Sequence, residues 1–323
     1  MDFGLLASEI TKTLRGQHSQ TAHSKWLGCK SNVSYAWESG RAAPTAAEAL
    51  QIFKRRGTDL PEAYRRFYQR EPPWLDDLQP ESPEGVAAFL ADLKGRTTVL
   101  ELARTMKQSR FTVARWLSGQ TAIKLPQFLQ LIQVTSLRLL DFLAVLLDPT
   151  RLPSVRDAWI NLENTRRAAY DMPWSQAVLR ALELDSYKAL PSHRAGWIAN
   201  LLSLDPKTEE LALTLLRDSG QVIMKDGHYE PVQVSTTDTR SDPERAWRSR
   251  AFWSRAALER LEARVDGLYW HNVFGVSEAD YERIRQLQAW FFREARAIIA
   301  QSEPVERVVL MNLQLIPLST RTT

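Results

Sequence analysis

Apolar residues recur at helical spacing from the start of the chain. In the first 14 residues they lie three or four positions apart, on one face of a predicted helix: Phe3, Leu6, Ile10 and Leu14. Three shorter helices are predicted at about 20–27, 31–39 and 46–53. Gly28 and Gly40 follow the second and third, where glycine suits a tight turn and a left-handed helix end. Residues 1–70 are therefore predicted as one helical domain.

Helical patterning resumes after a break in composition. Residues 71–83 are rich in proline and acidic side chains and are predicted as a linker. Residues 84–148 are helical in pattern, and a second break at 148–153 precedes a longer body over 154–318. The breaks predict three domains, and the first two share a similar plan.

Strand patterns occur only in the C-terminal body. The segment Gln221–Val232 is predicted as a hairpin, because Asp226-Gly227 suits a type I′ turn with positive φ at both positions. Val308–Leu318 alternates apolar and polar residues and is predicted as a strand, whereas Ser277–Gln301 is predicted as a helix. The predicted fold is mainly α, with tandem helix-turn-helix units followed by an α+β body.

Charge is distributed unevenly along the chain. Residues 1–70 hold 11 Lys and Arg against 6 Asp and Glu, whereas 71–150 hold 8 against 9. A basic module on a neutral body favours a polyanionic partner at one end, although ordinary scatter of surface charge explains the difference equally well.

The segment from residue 19 to residue 44 contains motifs in a characteristic order: Ser19-Gln20, Trp26-Leu27-Gly28, Trp37-Glu38-Ser39-Gly40-Arg41 and Pro44. It resembles the phage-repressor-like (XRE-type) helix-turn-helix family. The resemblance implies that Gln20 contacts a phosphate and that the third helix lies in the DNA major groove.

Polar residues near the start of the third helix are the candidate base contacts, since Asn can pair bidentately with adenine: Ser31, Asn32 and Tyr35. Nearby cations are candidate phosphate contacts: Lys25, Lys30 and Arg41. The family usually has a buried aliphatic residue where this chain has Ser34. The rotation of the helix is therefore open by about one residue.

Residues 97–131 repeat the plan of the first unit more loosely. Ser109 is a predicted helix N-cap, and Arg115-Trp116-Leu117-Ser118-Gly119 echoes the closing stretch of the first unit. Arg110, Thr112 and Arg115 are candidate DNA contacts. A degenerate copy used for packing or dimerisation is the equal alternative.

Residues 193–232 suggest a winged-helix unit, with helices at 197–202 and 206–219 and the hairpin as the wing. Glu209 and Glu210 lie near the start of its second helix, where DNA phosphates would repel them, so a structural or dimerisation role is favoured.

The whole region from about 154 to 318 resembles the Fibrobacter major paralogous domain, a bacterial domain of uncharacterised function. The features that carry the resemblance are the winged unit, the stretch Thr236–Thr239 and the ending VVLMNLQLIPLS, with Ile316 where the family often has Phe. The resemblance implies a regulator.

Composition removes several other classes of function. Cys29 is the one cysteine, which excludes an internal disulfide framework and fits a reducing cytoplasm. The N-terminus is not predicted as a signal peptide, and the most apolar stretch, Leu137–Leu147, is too short to cross a bilayer. No catalytic constellation, zinc-ligand spacing around His18 and His23, or phosphate-binding loop is present. We therefore expect no catalytic residue, metal or cofactor.

These patterns predict a cytoplasmic, sequence-specific transcription regulator that binds double-stranded DNA. A homodimer is expected because one small DNA-binding unit seldom gives enough affinity, and the alternative is that the two N-terminal units of one chain span successive grooves. The C-terminal body is expected to dimerise and to sense a small-molecule, peptide or protein effector. The alternatives are an interaction adaptor that has lost DNA binding and an enzyme with its site in the C-terminal body.

Overall fold

The computed structural model describes residues 1–232 and 242–319. The chain divides into two compact units, Met1–Ile160 and Asn161–Thr323. The described part is mainly helical, as predicted. No helix within these ranges is long and apolar enough to cross a membrane.

The N-terminal unit consists of ten α-helices and one short 3₁₀ turn, and a further helix, α11 (Arg156–Asp171), passes its boundary. The ten are α1 (Phe3–Arg15), α2 (Gln20–Trp26), α3 (Val33–Glu38), α4 (Ala46–Arg55), α5 (Leu60–Tyr68), α6 (Pro83–Lys94), α7 (Val99–Thr105), α8 (Arg110–Leu117), α9 (Leu125–Ser136) and α10 (Leu139–Leu146). Polar side chains fix most of the starts. Ser19 accepts a hydrogen bond from the Ala22 amide, and Thr45 and Glu48 form a reciprocal capping box.

One hydrophobic core runs through the N-terminal unit. Tyr64 of α5 contacts Phe89 of α6 edge to face, with 4.8 Å between ring centroids, and Phe142 of α10 stacks on Phe89 at 5.4 Å. Trp74 and Leu75 are buried in the same cluster. Residues 71–83 thus differ from the predicted linker, because burial of these two large apolar side chains outweighs the flexible composition around them. The two flanking helical regions share one core.

The ten helices form two copies of one five-helix arrangement. Adding 79 to a residue number in α1–α5 gives its counterpart in α6–α10, so that Gln20, the first residue of α2, corresponds to Val99, the first residue of α7. The helix ends agree in detail. Gly16 and Gly95, which end α1 and α6, have nearly the same backbone angles, with φ 61° and ψ −132° against φ 52° and ψ −126°.

The C-terminal unit also consists mostly of helices. They are α12 (Trp174–Ala181), α13 (Asp185–Lys188), α14 (Trp197–Leu202), α15 (Pro206–Asp218), α16 (Pro243–Glu262) and α17 (Glu278–Ala300). Its core packs α12, α14 and α15 around Val178, Ile198 and Leu213. The helix predicted over Ser277–Gln301 is confirmed as α17, and Ser277 caps it by accepting from the Asp280 amide.

The predicted hairpin is confirmed and the predicted final strand is not. Strands β1 (Val222–Lys225) and β2 (His228–Pro231) pair in antiparallel fashion, and Asp226 and Gly227 have φ of 48° and 80°. The strand prediction at Val308–Leu318 is wrong, because a strand needs a neighbour for its backbone groups and the described sheet contains only β1 and β2. The predicted signature Thr236–Thr239 lies outside the described residues.

Candidate nucleic-acid interface

A tight turn sets α3 against α2. The Gly28 amide donates to the Lys25 carbonyl at 2.9 Å, and the Cys29 amide donates to the Ser24 carbonyl at 3.0 Å. Gly28 has φ of 80°, a conformation that glycine adopts without steric cost. The predicted two-helix arrangement is therefore present at residues 20–38, with the turn where the sequence placed it.

A buried polar cluster lies between α2 and α3. His23 Nδ1 is 2.9 Å from Ser34 Oγ, and Ser24 Oγ is 3.0 Å from the same Ser34 oxygen. The Ser34 amide donates to Ser24 Oγ at 3.1 Å, and all three side chains are buried. Burial lowers the pKa of His23 below its usual value, and the nearby Arg56 charge lowers it further. The cluster thus holds a neutral imidazole.

This cluster fixes the rotation of α3 that the sequence left open. Ser34 faces inward, at the position where an aliphatic residue was expected. Six of the residues predicted to contact DNA are exposed: Lys25, Lys30, Ser31, Asn32, Tyr35 and Arg41. The outward face at the start of α3 therefore presents polar side chains, and cationic side chains flank it in the sequence.

Asn32 already has a structural role. It is the N-cap of α3, and its Oδ1 accepts from the Tyr35 amide at 3.2 Å and lies 3.2 Å from Ser24 Oγ. A bidentate contact with adenine would use this same oxygen as well as the amide nitrogen. The side chain therefore brings mainly its Nδ2 donor to a ligand.

Gln20 differs from the other candidates because it is half-buried. Its Nε2 donates to Glu38 Oε2 at 2.9 Å, and Arg15 Nε forms a salt bridge with Glu38 Oε1 at 2.6 Å. These contacts join α1, α2 and the end of α3 through a single carboxylate. Gln20 thus stabilises the arrangement of the helices in addition to the phosphate role that the resemblance implies.

Three cation–aromatic contacts lie beside α2 and α3, and in the longest of them the Arg55 guanidinium carbon is 5.8 Å from the centroid of the Trp26 ring. The Arg41 guanidinium carbon is 5.2 Å from the centroid of the Tyr35 ring, and that of Arg56 is 4.8 Å from the Trp26 ring. Such contacts hold guanidinium groups in place without neutralising them. Arg56 was not among the residues predicted from the sequence, since it follows α4 and only the fold brings it to α2.

The second copy forms the same turn without glycine. Lys107 corresponds to Gly28 and has φ of 53°, and the Gln108 amide donates to the Ala103 carbonyl at 2.9 Å. Of the three predicted contacts of this copy, Arg110 and Arg115 are exposed, whereas Thr112 is half-buried and its Oγ1 lies 2.8 Å from Ser109 Oγ. Phe111 is 79% exposed and was missed, because an aromatic side chain at helical spacing predicts a core residue. The second copy therefore has the same turn geometry as the first, although Lys107 replaces the glycine.

The two copies differ beneath their second and third helices. The counterparts of His23, Ser24 and Ser34 are Leu102, Ala103 and Val113, and all three are buried. An apolar contact thus occupies the place of the polar cluster.

In the C-terminal unit, Glu209 is buried rather than presented to solvent. Its Oε2 accepts from the Ala199 amide at 2.6 Å and its Oε1 from the Gly196 amide at 3.2 Å, and His193 Nε2 lies 3.8 Å away. Burial lowers the pKa of His193, which the Glu209 charge partly opposes. The argument that Glu209 would repel DNA is therefore wrong: only Glu210 lies on the surface.

No group of three or more His, Cys, Asp or Glu side chains in the described ranges could hold a metal ion.

The protein is therefore mainly helical and has two compact units. The N-terminal unit carries the polar and basic surface described above, and the C-terminal unit has its own core. Residues 157–318 match the family described as a domain of unknown function, DUF4423, nearly the range predicted for the C-terminal body. The chain belongs to this family. No helix-turn-helix family matches the N-terminal residues, and no curated protein or solved structure matches the chain.

Proposed function

We propose that the chain is a DNA-binding transcription regulator of the cytoplasm, and that α3 enters the major groove. The observation that carries the proposal is the exposure of Ser31 and Asn32, just before α3, together with Tyr35 in its first turn, on a helix whose rotation a buried cluster fixes. A rigid helix with polar residues at its N-terminal end is the arrangement that recognises base edges.

The surrounding charges fit the same partner. Lys25, Lys30 and Arg41 are exposed, and no acidic residue lies between 10 and 37 in the sequence. Cations at the edge of a recognition helix neutralise phosphates and release counterions, which makes affinity fall steeply with salt. The motifs at residues 19–44 that resemble phage-repressor-like proteins are in keeping with this proposal.

The experiment measures DNA affinity of the full-length protein over a series of salt concentrations. Arg41→Ala should weaken binding to specific and random DNA alike and lower the slope of log affinity against log salt by about one unit. Arg283→Ala, which removes the same charge from an exposed site on α17, outside the winged-helix-like helices, is the matched control and should leave the slope unchanged. An unaltered slope in Arg41→Ala removes this residue from the interface, and a flat slope in the native protein removes the proposal.

A second candidate is an interaction adaptor that keeps this fold without binding DNA. It is favoured by the engagement of Gln20 with Glu38 and of the Asn32 oxygen with the Tyr35 amide, because both side chains already have partners. The salt series separates the two candidates, since an adaptor has no counterion release.

For the C-terminal domain we propose a regulatory, non-catalytic role. Helices α14 and α15 followed by the β1–β2 hairpin suggest a winged helix. The regulator that the resemblance of 154–318 implies would use this domain for dimerisation or effector sensing.

A further inference from the structure

We propose that the N-terminal unit is a two-headed DNA reader within one chain. In this proposal, which rests on the proposed DNA binding, α3 and α8 contact two different half-sites in inverted orientation. One chain then occupies a site that would otherwise need a dimer.

The first argument is a reciprocal pair of backbone hydrogen bonds between the copies. The Ala46 amide donates to the Ile123 carbonyl at 2.9 Å, and the Leu125 amide donates to the Pro44 carbonyl at 2.9 Å. Leu125 is the counterpart of Ala46, and Ile123 is the counterpart of Pro44. Replacing every residue of one hydrogen bond by its counterpart in the other copy therefore gives the second hydrogen bond. A contact in which i meets j and j meets i is the signature of a two-fold interface.

Thr45 and Lys124, which are also counterparts, form an isolated antiparallel bridge with each other at the centre of this pair. A residue that pairs with its own counterpart lies at the two-fold axis. The pseudo-symmetry axis therefore passes beside Thr45 and Lys124.

The helix contacts obey the same exchange. Helix α1 packs on α9, and its counterpart α6 packs on α4, which is the counterpart of α9. Helix α4 also contacts its own counterpart α9, and α5 contacts its own counterpart α10. Exchanging the two copies leaves each of these pairs unchanged. The relation thus extends from the bridge to the full length of the interface.

The interface is a permanent one. The ring of Phe142 in α10 lies 5.4 Å from Phe67 and 5.7 Å from Tyr64, both in α5, and Arg138 Nη1 donates to the Phe67 carbonyl at 2.9 Å. Joining two binding units by a buried core and a covalent chain makes the second binding step intramolecular. Recognition of two half-sites then needs no association of chains.

The two exposed helix faces correspond in position and differ in chemistry. Ser31, Asn32 and Tyr35 correspond to Arg110, Phe111 and Ala114, and all six residues are exposed. The α8 face also includes Arg115, whose counterpart Ala36 is half-buried. Arg pairs with guanine, and Phe and Ala contact the thymine methyl group, whereas Ser and Asn offer other donors and acceptors. The two half-sites should therefore have different sequences.

The basic residues around α8 support DNA contact despite the neutral charge of residues 71–150. Between Val99 and Gly119 the chain has Arg104, Lys107, Arg110 and Arg115 against Glu101 alone, and these four cations are exposed. The acidic residues that balance the region lie mostly in 71–92, before this segment.

The test selects binding sites from a randomised duplex library with the full-length protein and weighs the complex by native mass spectrometry. We expect two unlike half-sites in inverted orientation and one chain per duplex. Arg115→Ala should erase the sequence preference of one half-site and lower affinity for the whole site by about fivefold or more, whereas Arg283→Ala, on the exposed surface of α17, should do neither.

A variant that exchanges the exposed face makes the test sharper. Arg110→Ser, Phe111→Asn, Ala114→Tyr and Arg115→Ala together give α8 the exposed residues of α3 and should turn the selected site into a palindrome. A single half-site, or a palindrome bound by two native chains and unaffected by Arg115→Ala, overturns this inference while leaving DNA binding by α3 intact. If no motif is selected and neither Arg41→Ala nor Arg115→Ala changes DNA affinity, the proposed function is overturned, and the inference with it.

Discussion

His23 and Ser34 are joined beneath the proposed recognition helix by a contact of 2.9 Å between Nδ1 and Oγ, and both side chains are almost fully buried. The other ring nitrogen, Nε2, is buried without a hydrogen-bond partner. A protonated ring would need an acceptor at each nitrogen. The neutral ring is therefore the form that the fold accommodates.

The stability of the N-terminal unit should consequently depend on pH. Because burial lowers the folded-state pKa of His23 below its ordinary 6.5, the unfolded chain binds the proton more readily. The contribution of His23 to the free energy of unfolding should be constant above pH 6.5 and should fall as the pH decreases from there towards the folded-state pKa. The total fall is about 1.4 kcal/mol for each unit by which folding lowers the pKa. Urea unfolding between pH 5 and 8 measures it. His193 acts in the same direction, so the comparison that isolates His23 is native protein against His23→Leu.

The second copy supplies a design for removing this pH dependence. The triple variant His23→Leu, Ser24→Ala, Ser34→Val reproduces the buried residues Leu102, Ala103 and Val113. Because all members of the polar cluster are replaced together, we expect nearly unchanged or increased stability at pH 7.5 and a weaker pH dependence below 6.5. Ser34→Val alone is the contrasting variant. It leaves the His23 nitrogen unpaired and should destabilise by about 1–3 kcal/mol. Equal stability losses in both variants would contradict this account of the cluster.

Asn32→Ala should have two separable effects. Loss of the cap on α3 should lower the free energy of unfolding by about 0.5–2 kcal/mol, and loss of the single amide donor should weaken specific DNA binding by about 0.5–1.5 kcal/mol while sparing random DNA. Asn32→Ser retains a capping hydroxyl and lacks the amide, so it should recover the stability without the specificity. Urea unfolding and competition binding measure the two effects. Equal loss on specific and random DNA would exclude Asn32 as a base contact.

Trp74→Ala tests whether residues 71–83 belong to the core. Trp74 is 8% exposed and lies 5.3 Å from the Tyr64 ring, so truncation should destabilise the N-terminal unit by about 3–5 kcal/mol. Trp247→Ala, at a site that is 64% exposed, is the matched control and should change stability by less than about 0.5 kcal/mol. Thermal unfolding followed by circular dichroism compares the two. Similar melting of both variants would mean that this segment behaves as a flexible linker.

Local patterns predicted the positions of seven of the described helices, namely α1 to α4, α14, α15 and α17. The apolar spacing of Phe3 to Leu14, the glycine after α2 and the capping residues Ser19 and Ser277 predicted element positions within one or two residues, because helix periodicity and capping depend on neighbours in the chain. The Asp226-Gly227 turn gave the hairpin for the same reason. The motifs at residues 19–44 also identified the exposed candidates between Lys25 and Arg41. Among them, Asn32 is the one whose side-chain oxygen is already engaged by neighbouring residues.

Tertiary structure decided what depends on contacts between distant residues. Burial of Trp74 and Glu209 reversed the expectations of a linker and of an exposed carboxylate, and burial of Ser34 fixed the rotation of α3. Composition could not show this, since it does not reveal which partner removes a side chain from water. The failed strand at Val308–Leu318 lacked a neighbour to pair with, which alternation alone cannot report. The sequence indicated that the two regions share a plan, but low similarity hid the exact offset of 79 residues, because a shared backbone needs the same apolar positions and turn geometry but not the same residues. The hydrogen bonds between Ala46 and Ile123 and between Leu125 and Pro44 show the two-fold relation, since symmetry belongs to the contacts between the copies and not to either sequence.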